Sequence, residues 1–185
     1  MNLNRKDLHL DVFLETERLV LRRFTKDDVD HLFMLDNDPE VMRFINGGKP
    51  VSRSTIINEM ISKILEYYRI YDHFGFWAAI LKSDNTFIGW FHFRLVSENP
   101  KEVDLGYRLK KTAWNKGYAT EGCRALISKG FEHLGIQKIT AKALPMNKAS
   151  IRVMEKAGMS YERKMIDESG NELVEYAIGK NSYLS

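Results

Sequence analysis

The sequence predicts a single mixed α/β domain, and three observations predict it. Residues 102–109 place Val103, Leu105, Tyr107 and Leu109 at alternate positions, the period of a strand, and the aromatic-rich runs 76–81 and 87–95 read as strands joined to it by polar turns. Ala119, Cys123, Leu126, Ile127, Phe131 and Leu134 recur at helical spacing. A further strand follows at 138–144, so the strands at 103–109 and 138–144, joined by a helical crossover, are expected to run parallel within a mostly antiparallel sheet flanked by helices.

In chain order, Arg18 to Arg22 reads as a first strand, and Thr25 caps a helix to about Leu35, with Asp27 and Asp28 in its first turn. Asp38-Pro39 ends that helix, residues 41–45 are ambiguous, and Asn46-Gly47-Gly48 is a turn. Ile57, Ile61, Ile64, Leu65 and Tyr68 share one face of a helix from Ser54 to about Tyr71. The meander of three strands turns at Ser83-Asp84-Asn85 and at Ser97-Glu98-Asn99-Pro100. After the helix from Gly117 to Leu134, closed by Gly135, and the strand at 138–144, a helix from Lys148 to Ala157 ends at Gly158. A terminal hairpin turns at Glu168-Ser169-Gly170-Asn171.

Composition bounds the functional classes. A chain of 185 residues with 44% hydrophobic content can bury one core, and no linker, repeat or low-complexity run divides it, so residues 1–185 are expected to form one domain with its core at about 10–180. No apolar run reaches the length of a membrane span, and Met1-Asn2-Leu3-Asn4-Arg5-Lys6-Asp7 lacks the apolar stretch of a secretory leader. With a lone cysteine no internal disulfide framework forms, which suits a cytoplasmic location. The net charge of +3 and the absence of a basic and aromatic pattern argue against nucleic acid.

The stretch Trp114-Asn115-Lys116-Gly117-Tyr118-Ala119-Thr120-Glu121 joins strand to helix. At a helix start several N–H groups lack intrahelical partners and the macrodipole is positive, which favours an anion by a few tenths to about 2 kcal/mol. Gly117 and Ala119 let the backbone approach an oxygen-rich ligand. The loop lacks both the Gly-x-x-x-x-Gly-Lys-Ser/Thr order of a Walker loop and the Gly-x-Gly-x-x-Gly of a dinucleotide fold.

Its order Trp114-x-x-Gly117-x-Ala119 resembles the pyrophosphate loop of the GCN5-related N-acetyltransferases (GNAT), usually Gln/Arg-x-x-Gly-x-Gly/Ala. Glu17-Arg18-Leu19-Val20-Leu21-Arg22, Phe87-Ile88-Gly89, Asp104-Leu105-Gly106-Tyr107, Asn147-x-x-Ser150 and Glu155-Lys156-Ala157-Gly158-Met159 follow the family's order, and the set looks like the branch of Rim-type ribosomal-protein N-terminal acetyltransferases. The resemblance implies two central parallel strands that splay apart, with the pantetheine arm of acetyl-coenzyme A pairing with the backbone of Tyr107 to Leu109 as an added strand would. It implies cofactor contacts from Tyr107, Leu109, Trp114, Asn115, Lys116, Gly117, Tyr118, Ala119, Thr120 and Asn147. Trp114 and Asn115 stand where many relatives have Gln/Arg and Gly, so backbone N–H groups of Lys116 to Thr120 are expected to carry the phosphate contact. Lys110, Lys111, Lys116, Lys148, Arg152 and Lys156 are either phosphate ligands or a solvated basic face. No metal is implied.

The implied reaction is direct acetyl transfer to a primary amine, possible acceptors being a protein N-terminal α-amine, a polyamine or an aminoglycoside; a non-catalytic acyl-coenzyme A-binding module is the alternative. At pH 7, deprotonation costs roughly 4 to 5 kcal/mol for a lysine amine and about 1 kcal/mol for an α-amine. Glu102 and Asp104, on the strand face opposite Val103, Leu105 and Tyr107, are candidate bases or plain solvent-facing carboxylates, with Asp104 preferred. The resemblance offers Asp167 and Glu168 near the final hairpin as lesser candidate bases, and turn chemistry explains them adequately.

Many members of the superfamily place a tyrosine acid where this chain has Met154, so a phenolic acid at that position is excluded. The Rim-type resemblance instead suggests that the Ser150 hydroxyl donates to the departing sulfur. Ser150 and Asn147 equally suit the capping of a helix start. Cys123 is expected to be a small buried hydrophobe, Trp77, Trp90 and Phe91 core or cleft wall, and His92 and His133 to lack a partner set for a metal or a triad. A homodimer through the terminal hairpin is a candidate assembly.

Overall fold

Eight strands form one sheet in the order β1-β2-β3-β4-β5-β6-β8-β7. The computed structural model describes residues 11–96, 99 and 101–184, so the turn expected at Ser97-Glu98-Asn99-Pro100 lies outside the described residues except for Asn99. The strands are β1 (Val12–Glu15), β2 (Leu19–Arg23), β3 (Gly75–Leu81), β4 (Phe87–Leu95), β5 (Glu102–Leu109), β6 (Lys138–Ala143), β7 (Ser160–Ile166) and β8 (Glu172–Gly179). Every pairing is antiparallel except β5 with β6. That parallel pair is joined by α5 (Tyr118–His133), as the crossover required.

Two cores sit on the two faces of this sheet. On one, α5 and α6 (Lys148–Lys156) cover Trp77, Phe91, Phe93, Val103 and Leu105. Gly122 and Gly130 let α5 lie close: a Cβ at Gly122 would stand 2.3 Å from the Phe91 ring, and one at Gly130 would stand 2.8 Å from the Phe93 ring. Each glycine costs about 1 kcal/mol of helix propensity, offset by the ring contacts it permits.

On the other face lie α1 (Val29–Asp36), α2 (Pro39–Met42), α3 (Arg53–Thr55) and α4 (Ser62–Ile70), packed over Val20, Ala78, Ile80 and Trp90. A π-helical turn, Ile56–Ile61, joins α3 to α4. The sequence predicts an unbroken α-helix here with Ile57 on its apolar face, yet Ile57 is exposed while Ile56, Ile61 and Ile64 are buried. The wider π turn brings residues five apart onto one face, and so aligns Ile56 with Ile61. A period of 3.6 cannot register that spacing.

Two short elements escaped the periodicity. Strand β1 is an edge of four residues held by the stacking of Phe13 on Trp77, 3.9 Å between ring centres. Helix α7 (Lys180–Tyr183) is held by the Tyr183 hydroxyl, which donates to Glu132 at 2.8 Å.

The first helix is entered through a buried charge. Thr25 caps a 3₁₀ turn at Lys26–Asp28 in a capping box, and Asp28 accepts the Thr25 N–H at 2.8 Å and a bidentate pair from Arg22 at 2.8 and 2.7 Å. Burial alone would raise the Asp28 carboxyl, but these donors outweigh it and hold its pKa below the ordinary value. The stabilisation is therefore complete above the unfolded pKa of about 3.9 and lost as pH falls through it towards the folded value. Asp28→Asn should cost about 3 kcal/mol by urea denaturation at pH 7, because it strands a buried guanidinium, and should flatten the fall in stability between about pH 5 and 3.

Candidate functional site

The parallel pairing of β5 with β6 is short. Glu102 lies opposite Lys138, Val103 opposite Ile139 and Asp104 opposite Thr140; there the register ends, although β5 runs on to Leu109 and β6 to Ala143. Over Leu105 to Leu109, β5 is paired on its β4 side alone, with Phe93 through Gly89. An unpaired strand edge inside a sheet offers backbone hydrogen bonds to an extended ligand.

A cavity of about 500 Å³ opens beside this edge. Tyr107, Arg108 and Leu109 of β5, the loop residues Trp114, Asn115, Gly117, Tyr118, Ala119 and Thr120, and Asn147, Ser150, Arg152 and Lys156 of the α6 region line it. Glu40, Val41, Arg43, Phe44 and Ile45 contribute a further wall. Of the basic residues named from sequence, Arg152 and Lys156 line the cavity, while Lys110, Lys111, Lys116 and Lys148 do not.

The loop is built to leave helix donors free. Asn115 and Gly117 take left-handed φ of 59° and 83°, and Gly117 is the N-cap of the 16-residue helix α5 with no side-chain cap. The first N–H groups of α5 therefore end at the cavity without a side-chain acceptor, where the dipole adds positive potential. Trp114 turns its indole N–H inward to the Leu109 carbonyl at 2.8 Å, so this side chain ties the loop to β5.

A latch from the first strands holds the loop's outer side. Arg18 donates through Nε to Glu121 at 2.6 Å and through a terminal nitrogen to the Lys116 carbonyl at 3.0 Å, and its guanidinium lies 4.6 Å from the centre of the Tyr118 ring. Glu121 also accepts from the Thr16 hydroxyl at 2.5 Å and the Arg18 N–H at 2.9 Å. This gives a physical reason for Glu17-Arg18-Leu19 and Thr120-Glu121 to occur together, which spacing in the chain could not supply.

Across the cavity, Asn147 caps α6 by accepting the Ser150 N–H at 3.2 Å. The Ser150 hydroxyl is thereby left to meet the Tyr107 hydroxyl at 3.1 Å. Burial raises the Tyr107 phenol well above its ordinary pKa, so it stays protonated. A phenol thus reaches this part of the cavity from β5 rather than from position 154, where Met154 is buried in the core. The alternation of β5 puts Tyr107 on this face; only the tertiary packing brings it to Ser150.

Asp104 and Glu102 project from the opposite face and are not among the cavity-lining residues. Asp104 accepts from Arg94 at 3.0 Å and lies 2.8 Å from His92 Nε2. His92, expected to lack a partner set for a metal or a triad, has one carboxylate partner: β4 and β5 pair antiparallel with His92 opposite Gly106, which sets the imidazole beside Asp104 twelve residues away in the chain. Burial would raise the Asp104 carboxyl, but His92 and Arg94 outweigh it and hold it below its ordinary value.

Asp167 is exposed and accepts the N–H groups of Ser169 and Asn171 at 2.9 and 2.8 Å, a turn role. Cys123 is buried, and burial pushes its thiol far up, which makes it inert. Among the described residues no group of three His, Cys, Asp or Glu side chains is placed to hold a metal, and no helix is long and apolar enough to cross a membrane.

The latch predicts a local effect. Arg18→Ala should leave the urea midpoint nearly unchanged, because the guanidinium is 43% exposed, yet speed amide exchange at Glu121, whose N–H donates to the Gly117 carbonyl at 3.0 Å, by about tenfold, the equivalent of about 1.4 kcal/mol of local opening. Unchanged exchange in that variant would show that the loop holds its shape unaided.

The comparisons with known proteins agree with this geometry. The chain is 30% identical over 154 residues to an uncharacterized N-acetyltransferase, p20, of Bacillus licheniformis, covering 83% of this chain and 85% of that protein. It is 29% identical over 155 residues to the FsC-acetyl coenzyme A-N(2)-transacetylase of Aspergillus fumigatus, covering 80% of this chain and 65% of the length of that relative. Among solved structures, an acetyltransferase of the GNAT family from Bacillus anthracis superposes with a TM-score of 0.79 at 26% identity, over 91% of this chain and 99% of that one. RimL, a ribosomal L7/L12 alpha-N-protein acetyltransferase in complex with coenzyme A, superposes with a TM-score of 0.78 at 16% identity, over 91% and 98%. The profile of the acetyltransferase (GNAT) domain matches residues 18–160, so the chain belongs to the GNAT acetyltransferase family.

Proposed function

We propose that this protein transfers the acetyl group of acetyl-coenzyme A directly to the α-amine of a peptide or related acceptor. The observation that carries the reading is the open edge of β5 running into the uncapped start of α5, with the Tyr107–Ser150 hydroxyl pair between them. An extended, amide-bearing arm ending in a diphosphate matches that order of backbone edge and helix N-terminus. Arg152 and Lys156 add charge on the cavity wall for the phosphates. Tyr107 and Leu109 would meet the arm, Asn115, Lys116, Gly117, Tyr118, Ala119 and Thr120 the diphosphate through their backbone, and Asn147 the start of the helix that carries Ser150.

Attack of an amine nitrogen on the thioester carbonyl forms the C–N bond, breaks the C–S bond and leaves the electron pair on sulfur. In this reading Ser150 gives that sulfur a proton and recovers one from Tyr107, its hydroxyl partner at 3.1 Å, whose phenol stays protonated. On the other face Asp104 supplies a negative charge, but its neighbours His92 and Arg94 hold its pKa low and leave it a poor proton acceptor. A site with so weak a carboxylate base suits an amine that is cheap to deprotonate, which favours an α-amine, at about 1 kcal/mol, over a lysine or polyamine amine, at roughly 4 to 5 kcal/mol. Glu102, two residues further from the open edge, has no part in this scheme.

A thiol-release assay with acetyl-coenzyme A and a panel of N-terminal peptides, polyamines and aminoglycosides tests the reading, with the peptides expected to give the highest kcat/KM at pH 7. Coenzyme A binding without turnover of any amine would overturn it. Ser150→Ala should lower kcat about 10²-fold, the low end for a general acid, with little change in coenzyme A affinity, and Tyr107→Phe should lower it about tenfold, the loss of one relayed hydrogen bond. Full activity in both variants would remove the hydroxyl pair from the mechanism.

A further inference from the structure

We propose that His92 takes the proton from the acceptor amine, with Asp104 as the carboxylate that orients it. The inference rests on the acetyl-transfer reading and assigns the amine-side proton, which that reading leaves without a competent acceptor. Four observations carry it.

The first is position. The pairing of β5 with β6 ends at Asp104 and Thr140, so the opening between the strands begins one residue beyond the carboxylate that His92 contacts. His92 itself lies opposite Gly106, and a Cβ on Gly106 would stand 2.4 Å from its Cε1 and 3.1 Å from its Nδ1. The imidazole therefore lies against the bare β5 backbone next to Tyr107, on the face opposite the Tyr107–Ser150 pair. The proton acceptor and the proton donor flank the same stretch of strand from its two sides.

The second is tautomer. His92 Nε2 is 2.8 Å from Asp104 Oδ2, and an ionised carboxylate only accepts, so Nε2 carries the hydrogen and Nδ1 carries the lone pair. This is the orienting arrangement found where a carboxylate holds a histidine base and stabilises the imidazolium formed on it.

The third is hydrogen-bond satisfaction. Among the described residues, Trp90 Nε1, His92 Nδ1 and Arg108 Nε are buried side-chain atoms with no hydrogen-bond partner in the protein. They sit on neighbouring strands of one face: Trp90 pairs with Arg108, the Arg108 guanidinium lies 5.0 Å from the Trp90 ring, and the Trp90 and His92 rings are 5.8 Å apart. Buried polar groups are almost always satisfied, so three adjacent orphans mark a place where a polar ligand completes the bonding. Trp90 is 7% exposed, and Arg108 also lines the cavity, which connects this cluster to the acetyl-coenzyme A side. Two of the orphans donate and one accepts, which fits an amine that gives its proton to His92 while a neighbouring oxygen accepts from Trp90 or Arg108.

The fourth is charge state. Burial lowers the His92 pKa, the contact and charge of Asp104 raise it in part, and the charges of Arg94 and Arg108 lower it again, so the ring is neutral at pH 7. Phe76, against the ring from β3 at 5.4 Å between centres, adds no charge.

The proton balance closes. The acceptor binds as the free amine; as the C–N bond forms and the C–S bond breaks, nitrogen loses one proton to His92 Nδ1 and sulfur gains one from Ser150. His92 then releases its proton to solvent and the Ser150–Tyr107 pair recovers one, so the net change moves one proton from nitrogen to sulfur.

The test uses the full chain with the best peptide acceptor at saturation. His92→Gln keeps a donor for Asp104 but cannot take a proton; it should lower kcat by about 10²-fold or more, leave coenzyme A affinity unchanged and abolish the acidic limb of the kcat–pH profile. Asp104→Asn should lower kcat by about tenfold or more at unchanged coenzyme A affinity and displace the same limb, because the imidazole loses its orienting charge. In the wild-type protein, nitrogen NMR of the imidazole should report a neutral ring protonated at Nε2 at pH 7, a result that does not depend on how the variants fold. Wild-type turnover together with a His92→Gln enzyme within about threefold of it and an intact acidic limb would overturn the assignment while leaving the acetyl-transfer reading standing. No wild-type turnover with any amine would overturn both.

Discussion

The parting of β5 from β6 after Asp104 and Thr140 is the constraint on which the rest of the molecule depends. Two parallel strands joined by a helix normally pair along their length; here each continues with its own antiparallel partner, β5 with β4 and β6 with β8, and the twist of each half carries the ends apart. Helix α5 holds this arrangement by lying close on β4, which Gly122 and Gly130 permit. The same geometry that leaves the β6 side of β5 unpaired beyond Asp104 brings the start of α5 to the mouth of the opening.

From that opening the division of labour follows by strand alternation. Odd-numbered residues of β5 face α5 and α6, so Tyr107 meets Ser150; even-numbered ones face the other side, so Asp104 meets His92 and Arg94, and Arg108 meets Asp36. Strand β5 thus carries a phenol on one face, against Ser150 of α6, and a carboxylate on the other, against His92 of β4. The two faces are also unlike in their electrostatics: burial keeps the phenol protonated on one, while on the other His92 and Arg94 keep the carboxylate ionised and burial holds the imidazole pKa low.

The loop before α5 shows how distant sequence supports a local site. Its donors are free because Gly117 caps the helix without a side chain, and its shape is held by Arg18 and Thr16 through Glu121, about a hundred residues away in the chain. The loop is therefore rigid on the outside and open on the inside, a preorganisation that reduces the entropy lost when an anion is bound.

Residue types and periodicity by themselves determined the main strands, the helices α1, α5 and α6, the parallel crossover and the tight loop before α5, because these rest on local spacing and on the backbone requirements of Gly117. The edge strand β1 and the helix α7 were too short to carry a period, and the π turn at Ile56–Ile61 breaks the period that would announce it. Only the tertiary structure decided the chemistry of the site. The pairing of His92 with Asp104, of Tyr107 with Ser150 and of Arg18 with Glu121 joins residues 12, 43 and 103 apart, and no local pattern encodes such contacts. They arise from strand register and from the packing of α5 and α6 on the sheet, which the chain settles only when the whole core closes.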